Sequence, residues 1–344
     1  MKFSTVFTTL LASIVSVVSA ASFADVKGAQ GAVYFLSNEP SGNKVFAAEI
    51  SSNGKLKIKR AIDAGGVGAH GINPPTGPDA LFSAVPIKAS SKRDFVVAVN
   101  AGSNTISLFK INPANPTNLE MVGKPVASGG EFPISVTINN SADRACTLNG
   151  GAVGGVSCFK VDLVKGLIPI PGALRGLPLN QTTPPSGPPR SAGQVLFTED
   201  NKQIVVSVKG DPPTPGYLAV WDVAANGSLS TTYKTIPVPH GSLVPLSINL
   251  IPGSNAVLAT DPAIGFAVVD LEDASKSSAV MIPGQRATCW ASYSSKTKNF
   301  YLVDLATATV TEVHIGHDLK ATLVKVFDLQ LYNLWNEIDR ELFF

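Results

Sequence analysis

Ile204-Val205-Val206-Ser207-Val208-Lys209 leads, through a Gly- and Pro-rich turn, into Tyr217-Leu218-Ala219-Val220-Trp221-Asp222-Val223, and then into Gly227-Ser228-Leu229. Two apolar, β-branched runs of six or seven residues, divided by turn residues, read as an antiparallel hairpin. The pattern recurs along the chain. Residues 34–38 are answered by 45–50, and 95–100 by 106–111. Residues 146–149 are answered by 156–161, 256–261 by 265–271, and 300–304 by 309–315. Six such units lie between residues 32 and 315. The residues that open their turns, Asn38, Asn100, Asn149, Lys209, Asp261 and Asp304, are 62, 49, 60, 52 and 43 positions apart.

That repeat is the length of a four-stranded propeller blade with generous loops. Five short apolar runs between the units, residues 81–85, 134–138, 195–197, 246–248 and 290–293, are candidate innermost strands. The expected fold class is all-β, a β-propeller of four-stranded blades. A pair of β-sandwiches is the competing all-β reading, and it accounts less well for a repeat that persists through the chain. A seventh blade would need its turn about 53 residues past Asp304, beyond Phe344, so the last blade of a seven-bladed ring is incomplete or missing.

Composition fits this reading. Of 344 residues, 44% are hydrophobic and only 15% charged, with a net charge of +2. A sizeable core is therefore expected, and wholesale disorder is excluded. No basic surplus exists to neutralise phosphates, which argues against a nucleic-acid partner.

The chain opens on Met1-Lys2, an apolar run over 3–18, and small residues at Val18-Ser19-Ala20, the pattern of a secretory signal peptide. A buried N-terminal helix is the blander alternative. No later apolar stretch is long enough to span a bilayer without Gly, Pro or charge. The expected organisation is a signal peptide over 1–20, a propeller over 21–327 and an atypical tail over 328–344. In the tail, Leu329, Leu331, Leu334, Trp335, Ile338, Leu342 and Phe343 recur at helical spacing. It reads either as a native helix packed on the last blade or as a segment foreign to the fold. The mature protein is expected to be a secreted monomer, extracellular or in a cell wall.

Export makes three sequons, at Asn139, Asn180 and Asn226, candidate glycan sites. It also permits a disulfide. Cys146 and Cys158 flank a Gly-rich turn, and two facing strands would place them opposite each other. Cys289 is left over, with a buried thiol as its plain reading.

In a propeller, the connection entering each inner strand and the turn after the second strand lie at one end of the channel. The connections bring His70, Arg190, His240 and Arg286. The turns bring Asn100, Asn149, Lys209, Asp261 and Asp304. Together they are a candidate ring for a small anionic ligand. The two Arg would hold carboxylates through a planar fork, a His would move a proton, and the turn residues would contact the ligand. The blander reading is that these groups satisfy turn backbones and solvate the rim. His314, His317 and Asp318 fall on a strand-to-turn segment, and neither a metal nor a cofactor is expected.

The segments His70-Gly71-Ile72-Asn73, Gly77-Pro78-Asp79-Ala80-Leu81-Phe82-Ser83, Val99-Asn100-Ala101-Gly102-Ser103-Asn104-Thr105 and Leu179-Asn180-Gln181-Thr182-Thr183-Pro184 resemble secreted fungal proteins related to 3-carboxymuconate cyclases. These belong to the seven-bladed lactonase propeller family, and the likeness covers about residues 30–325. It implies a propeller and, in the catalytic members, metal-independent lactonase or cycloisomerase chemistry. Such relatives carry a Pro-His-x-His stretch entering a central blade. The matching stretch here, Pro189-Arg190-Ser191-Ala192-Gly193-Gln194-Val195, has no histidine and offers only Arg190. Some secreted relatives are wall glycoproteins implicated in adhesion. Two functions are therefore expected to compete: a binding or adhesion protein with an extracellular or cell-wall partner, and a cycloisomerase or lactonase acting on a carboxylated muconate or sugar lactone.

Overall fold

The middle strands of this chain carry apolar runs rather than a strict alternation, because both of their faces are covered. Phe95-Val96-Val97-Ala98-Val99-Asn100 is buried at every position, and so are Ala256–Asp261 and Gly265–Asp270. Sheets stacked face to face about a common axis produce that pattern. The computed structural model describes residues 29–73, 80–170 and 174–329. The expected signal peptide, most of the C-terminal tail and residues 77–79 of one family-like segment lie outside them.

Six antiparallel sheets follow one another along the chain. Blade 1 holds β1 (Ala29–Leu36), β2 (Lys44–Ser51) and β3 (Leu56–Asp63). Blade 2 holds β4 (Ile87–Ser90), β5 (Phe95–Asn100), β6 (Thr105–Asn112) and β7 (Asn115–Met121), with the short β8 (Val126–Ala127) also on β6. Blade 3 holds β9 (Pro133–Ile138), β10 (Arg144–Asn149), β11 (Gly155–Asp162) and β12 (Gly166–Pro169), with β13 (Arg175–Gly176) also on β11. Blade 4 holds β14 (Ala192–Phe197), β15 (Gln203–Val208), β16 (Tyr217–Asp222) and β17 (Lys234–Pro237). Blade 5 holds β18 (Ile248–Leu250), β19 (Ala256–Asp261), β20 (Gly265–Asp270) and β21 (Ser278–Met281). Blade 6 holds β22 (Thr288–Ser294), β23 (Asn299–Asp304), β24 (Thr309–Ile315) and β25 (Ala321–Asp328). A single 3-10 turn, Ala274–Lys276, is the helical content among the described residues.

The described residues thus form an all-β propeller with six blades. The predicted hairpins form in the predicted order. Blade 1 has three strands among the described residues. One continuous hydrophobic cluster joins blades 1 to 4, a second joins blades 4 and 5, and a third joins blades 5 and 6.

Two expectations for inner strands need correction. Residues 81–84 form bends and 85 is irregular, and the inner strand of blade 2 is β4, which starts after them. Pro86 interrupts a strand there because it has no N–H to give the ladder. Phe82 and Val85 also take positive φ, 55° and 59°, which a strand does not allow. In blade 5 the inner strand begins at Ile248 rather than Leu246.

The two faces of blade 6 differ in cover. In β23, Phe300 and Leu302 are buried against blade 5, while Asn299, Tyr301 and Val303 on the other face stay partly exposed. A polar chain occupies that second face. The Asn299 amide donates to Glu312 Oε1 at 2.7 Å, Tyr301 Oη donates to the same oxygen at 3.0 Å, and His314 Nδ1 meets Asn299 Oδ1 at 2.9 Å.

Candidate functional site

Each connection that enters a blade must find partners for its backbone near the channel, where water is scarce. The residues at the ends of the second strands supply them. Asn100, Asn149, Lys209, Asp261 and Asp304 are all at most 3% exposed.

Their chemistry matches what each connection offers. Where it offers N–H groups, the clamp is a carboxylate. Asp261 Oδ2 accepts from Ser242 Oγ and Leu243 N, both at 2.6 Å, and from Val244 N at 3.0 Å. Asp304 Oδ2 accepts from the N–H groups of Arg286 at 2.6 Å and Ala287 at 3.1 Å. Its Oδ1 accepts from Ala306 and Thr307. Burial pushes the Asp304 carboxyl up, but the hydrogen bonds from Arg286, Ala287 and Thr307 outweigh it and hold the group below the usual carboxylate range.

Where carbonyls are offered, the clamp is a cation. Lys209 Nζ donates to Phe82 O at 2.5 Å and Ala192 O at 2.6 Å. Asparagine serves the mixed cases. Asn100 donates to Ala64 O and accepts from Asn43 Nδ2 at 2.9 Å, and Asn149 donates to Ser128 O. The five turn residues expected to contact a ligand therefore spend most of their polar atoms on the protein's own backbone and neighbouring side chains. Asn149 Oδ1 is the exception, a buried atom without a partner.

The four connection residues behave oppositely. His70, Arg190, His240 and Arg286 are all exposed, on four different connections. No hydrogen bond or ion pair joins any two of them. The Arg190 guanidinium pairs with Asp211 instead, with its side chain 75% exposed. The upper end of the propeller thus has an inner ring of buried clamps and an outer rim of solvated His and Arg.

The channel mouth between them is filled. The Phe82 ring is fully buried, and a Cβ on Gly71 would stand 2.3 Å from it, so only glycine fits at 71. Ile72 N donates to Pro185 O at 2.7 Å, and Gly187 N donates to Ile72 O at 3.1 Å. Trp290 Nε1 donates to Ser83 O at 3.1 Å. The connection into blade 2 is thereby fastened to blades 4 and 6 across the axis. Sequence reading missed this plug. Its one sequence signal was Pro86, which ends the apolar run that resembles a strand.

Cys146 and Cys158 face each other in the β10–β11 register and are bonded, with Cα atoms 4.0 Å apart. Cys289 forms no disulfide and is half-buried, rather than fully buried as expected. Among the sequons, Asn180 and Asn226 are exposed. Asn139 is a correction. It is 7% exposed, its Nδ2 donates to Asp143 Oδ1 at 2.7 Å, and its Oδ1 accepts from the N–H groups of Asp143 and Arg144. The nitrogen that would carry a glycan is committed inside a turn. Among the described residues no group of three or more His, Cys, Asp or Glu could hold a metal ion, and no helix is long and apolar enough to cross a membrane.

No protein-family model and no curated protein matches this chain. Solved structures do. A protein of unknown function from Desulfotomaculum acetoxidans matches with a TM-score of 0.57 at 14% identity, over 82% of this chain and 76% of that one. The hydrazine synthase of Kuenenia stuttgartiensis matches with a TM-score of 0.52 at 12% identity, over 87% and 80%. The periplasmic gluconolactonase of Pseudomonas aeruginosa is similar at a TM-score of 0.46 and 13% identity, over 86% and 67%. At such identities the first two likenesses show the fold, and the chain is a β-propeller.

Proposed function

We propose that this chain is an exported, wall-associated or extracellular propeller that binds a carboxylate-bearing partner through its upper rim. One observation carries the reading. The groups that would do acid–base and anion-holding chemistry stand exposed on four separate connections, and the mouth between them is plugged by Phe82. A catalytic base must reach its proton within hydrogen-bond distance, and a solvated rim does not concentrate groups in that way. A rim of His70, Arg190, His240 and Arg286 does suit a large anionic surface such as an acidic polysaccharide, which meets several cations at once. Glycans at Asn180 and Asn226 fit the same setting.

Calorimetric titration with polygalacturonate tests this. Binding that weakens about tenfold in the Arg190→Ala, Arg286→Ala double variant is expected, and it should weaken further with added salt. Equal binding by the double variant would remove the rim from the account.

The second reading is a metal-independent lactonase or cycloisomerase. It is favoured by the family-like stretch Val99-Asn100-Ala101-Gly102-Ser103-Asn104-Thr105. There Arg190 and Arg286 would hold carboxylates, and His70 or His240 would act as general acid or base. Turnover lost in His240→Ala and Arg190→Ala would establish it.

A further inference from the structure

Among the described residues, five strands stand innermost in their blades: β4, β9, β14, β18 and β22. Together they contain one charged side chain, Lys88, and no carboxylate. The strands packed against β4 are β1, β5 and β9, and none of them carries Asp, Glu, Lys, Arg or His. Lys88 lies opposite Val97 in the β4–β5 register, and Val97 is fully buried. Among the described residues the Lys88 ammonium makes no hydrogen bond or ion pair, whereas Lys209 has two carbonyls.

Lys88 is nevertheless half-buried rather than fully buried, on the innermost strand of its blade. An ammonium in such surroundings is disfavoured unless a counter-charge joins it. Burial accordingly pulls its pKa below that of an ordinary lysine. No carboxylate of the inner strands is available to play that part.

From this placement we infer that the channel holds a second binding site, separate from the rim, in which Lys88 receives a small monocarboxylate. A lone ammonium is a point charge of +1 with three donors, and it matches one carboxylate better than a phosphate dianion. Lys88 stands on the inner strand of blade 2, whereas the four rim residues stand on exposed connections. The inference does not rest on the rim reading.

The test is calorimetry of the full chain with sodium gluconate at low ionic strength, on wild type, Lys88→Met and Lys92→Met. Lys92 is exposed in the turn after β4 and serves as the control. Binding by wild type and Lys92→Met, weakened at least tenfold in Lys88→Met, is expected. Thermal unfolding without ligand supplies the second readout. Removing an unpaired ammonium should raise the Tm of Lys88→Met, whereas a lysine with a structural partner would lower it. Absence of gluconate binding by wild type, unchanged affinity in Lys88→Met, or a lowered Tm would each overturn the proposal.

Discussion

The inner ring of turn residues and the outer rim of connection residues lie at one end of the same channel, yet the fold treats them oppositely. Asp304 and Arg286 make the contrast at one end of blade 6. The Asp304 carboxylate is 3% exposed and accepts four backbone N–H groups, one of them from Arg286, whose own side chain is exposed. Polar residues near a channel are thus of two kinds. Those at strand ends are consumed by the chain's need to satisfy its backbone, and those one turn further out stand exposed to solvent.

The sharpest way to break this contrast is Lys209→Met. It removes the Nζ bonds to Phe82 O and Ala192 O, taking the ammonium away from two carbonyls beside the channel. A loss of about 4 kcal/mol is expected in urea unfolding. Opening the Cys146–Cys158 bridge by double replacement with Ser should cost about 3 kcal/mol, since it frees a loop of 12 residues in the unfolded chain. Asp304→Asn should cost about 2 kcal/mol, because charge-assisted bonds become neutral ones.

The pH dependence gives that prediction a sign. The Asp304 pKa is depressed in the fold, so its contribution is present above the ordinary carboxylate pKa. It is lost as pH falls through the depressed value. The stability of Asp304→Asn should therefore fall less steeply in acid than that of the wild type. The smallest effects belong to the rim. His70→Ala, His240→Ala and Arg286→Ala should each change stability by less than about 0.5 kcal/mol, while partner binding declines. A rim substitution that matched Lys209→Met in stability would erase the distinction between the two rings.

The hairpin repeat was legible because each blade repeats one apolar grammar, and Cys146 and Cys158 were legible because that grammar sets the register. The role of the turn residues was not. Asn100 and Arg190 are both polar residues near a turn, and nothing local says that one faces Ala64 O and the other Asp211. That division depends on where each connection crosses the channel. The plug was hidden for a related reason. Residues 81–85 have the composition of a strand, but Pro86 and the crossing of the axis prevent one. Lys88 escaped notice because a lysine in a short run such as Ile87-Lys88-Ala89-Ser90 reads as a solvated position, until the topology puts that run innermost.

The central claim is that the upper rim binds rather than catalyses. The most direct test follows the ultraviolet absorbance of 3-carboxymuconate in the presence of the purified mature protein, beside its Arg190→Ala, Arg286→Ala variant. The account predicts that neither protein consumes the diene. A loss of absorbance with wild type that disappears in the double variant would contradict it.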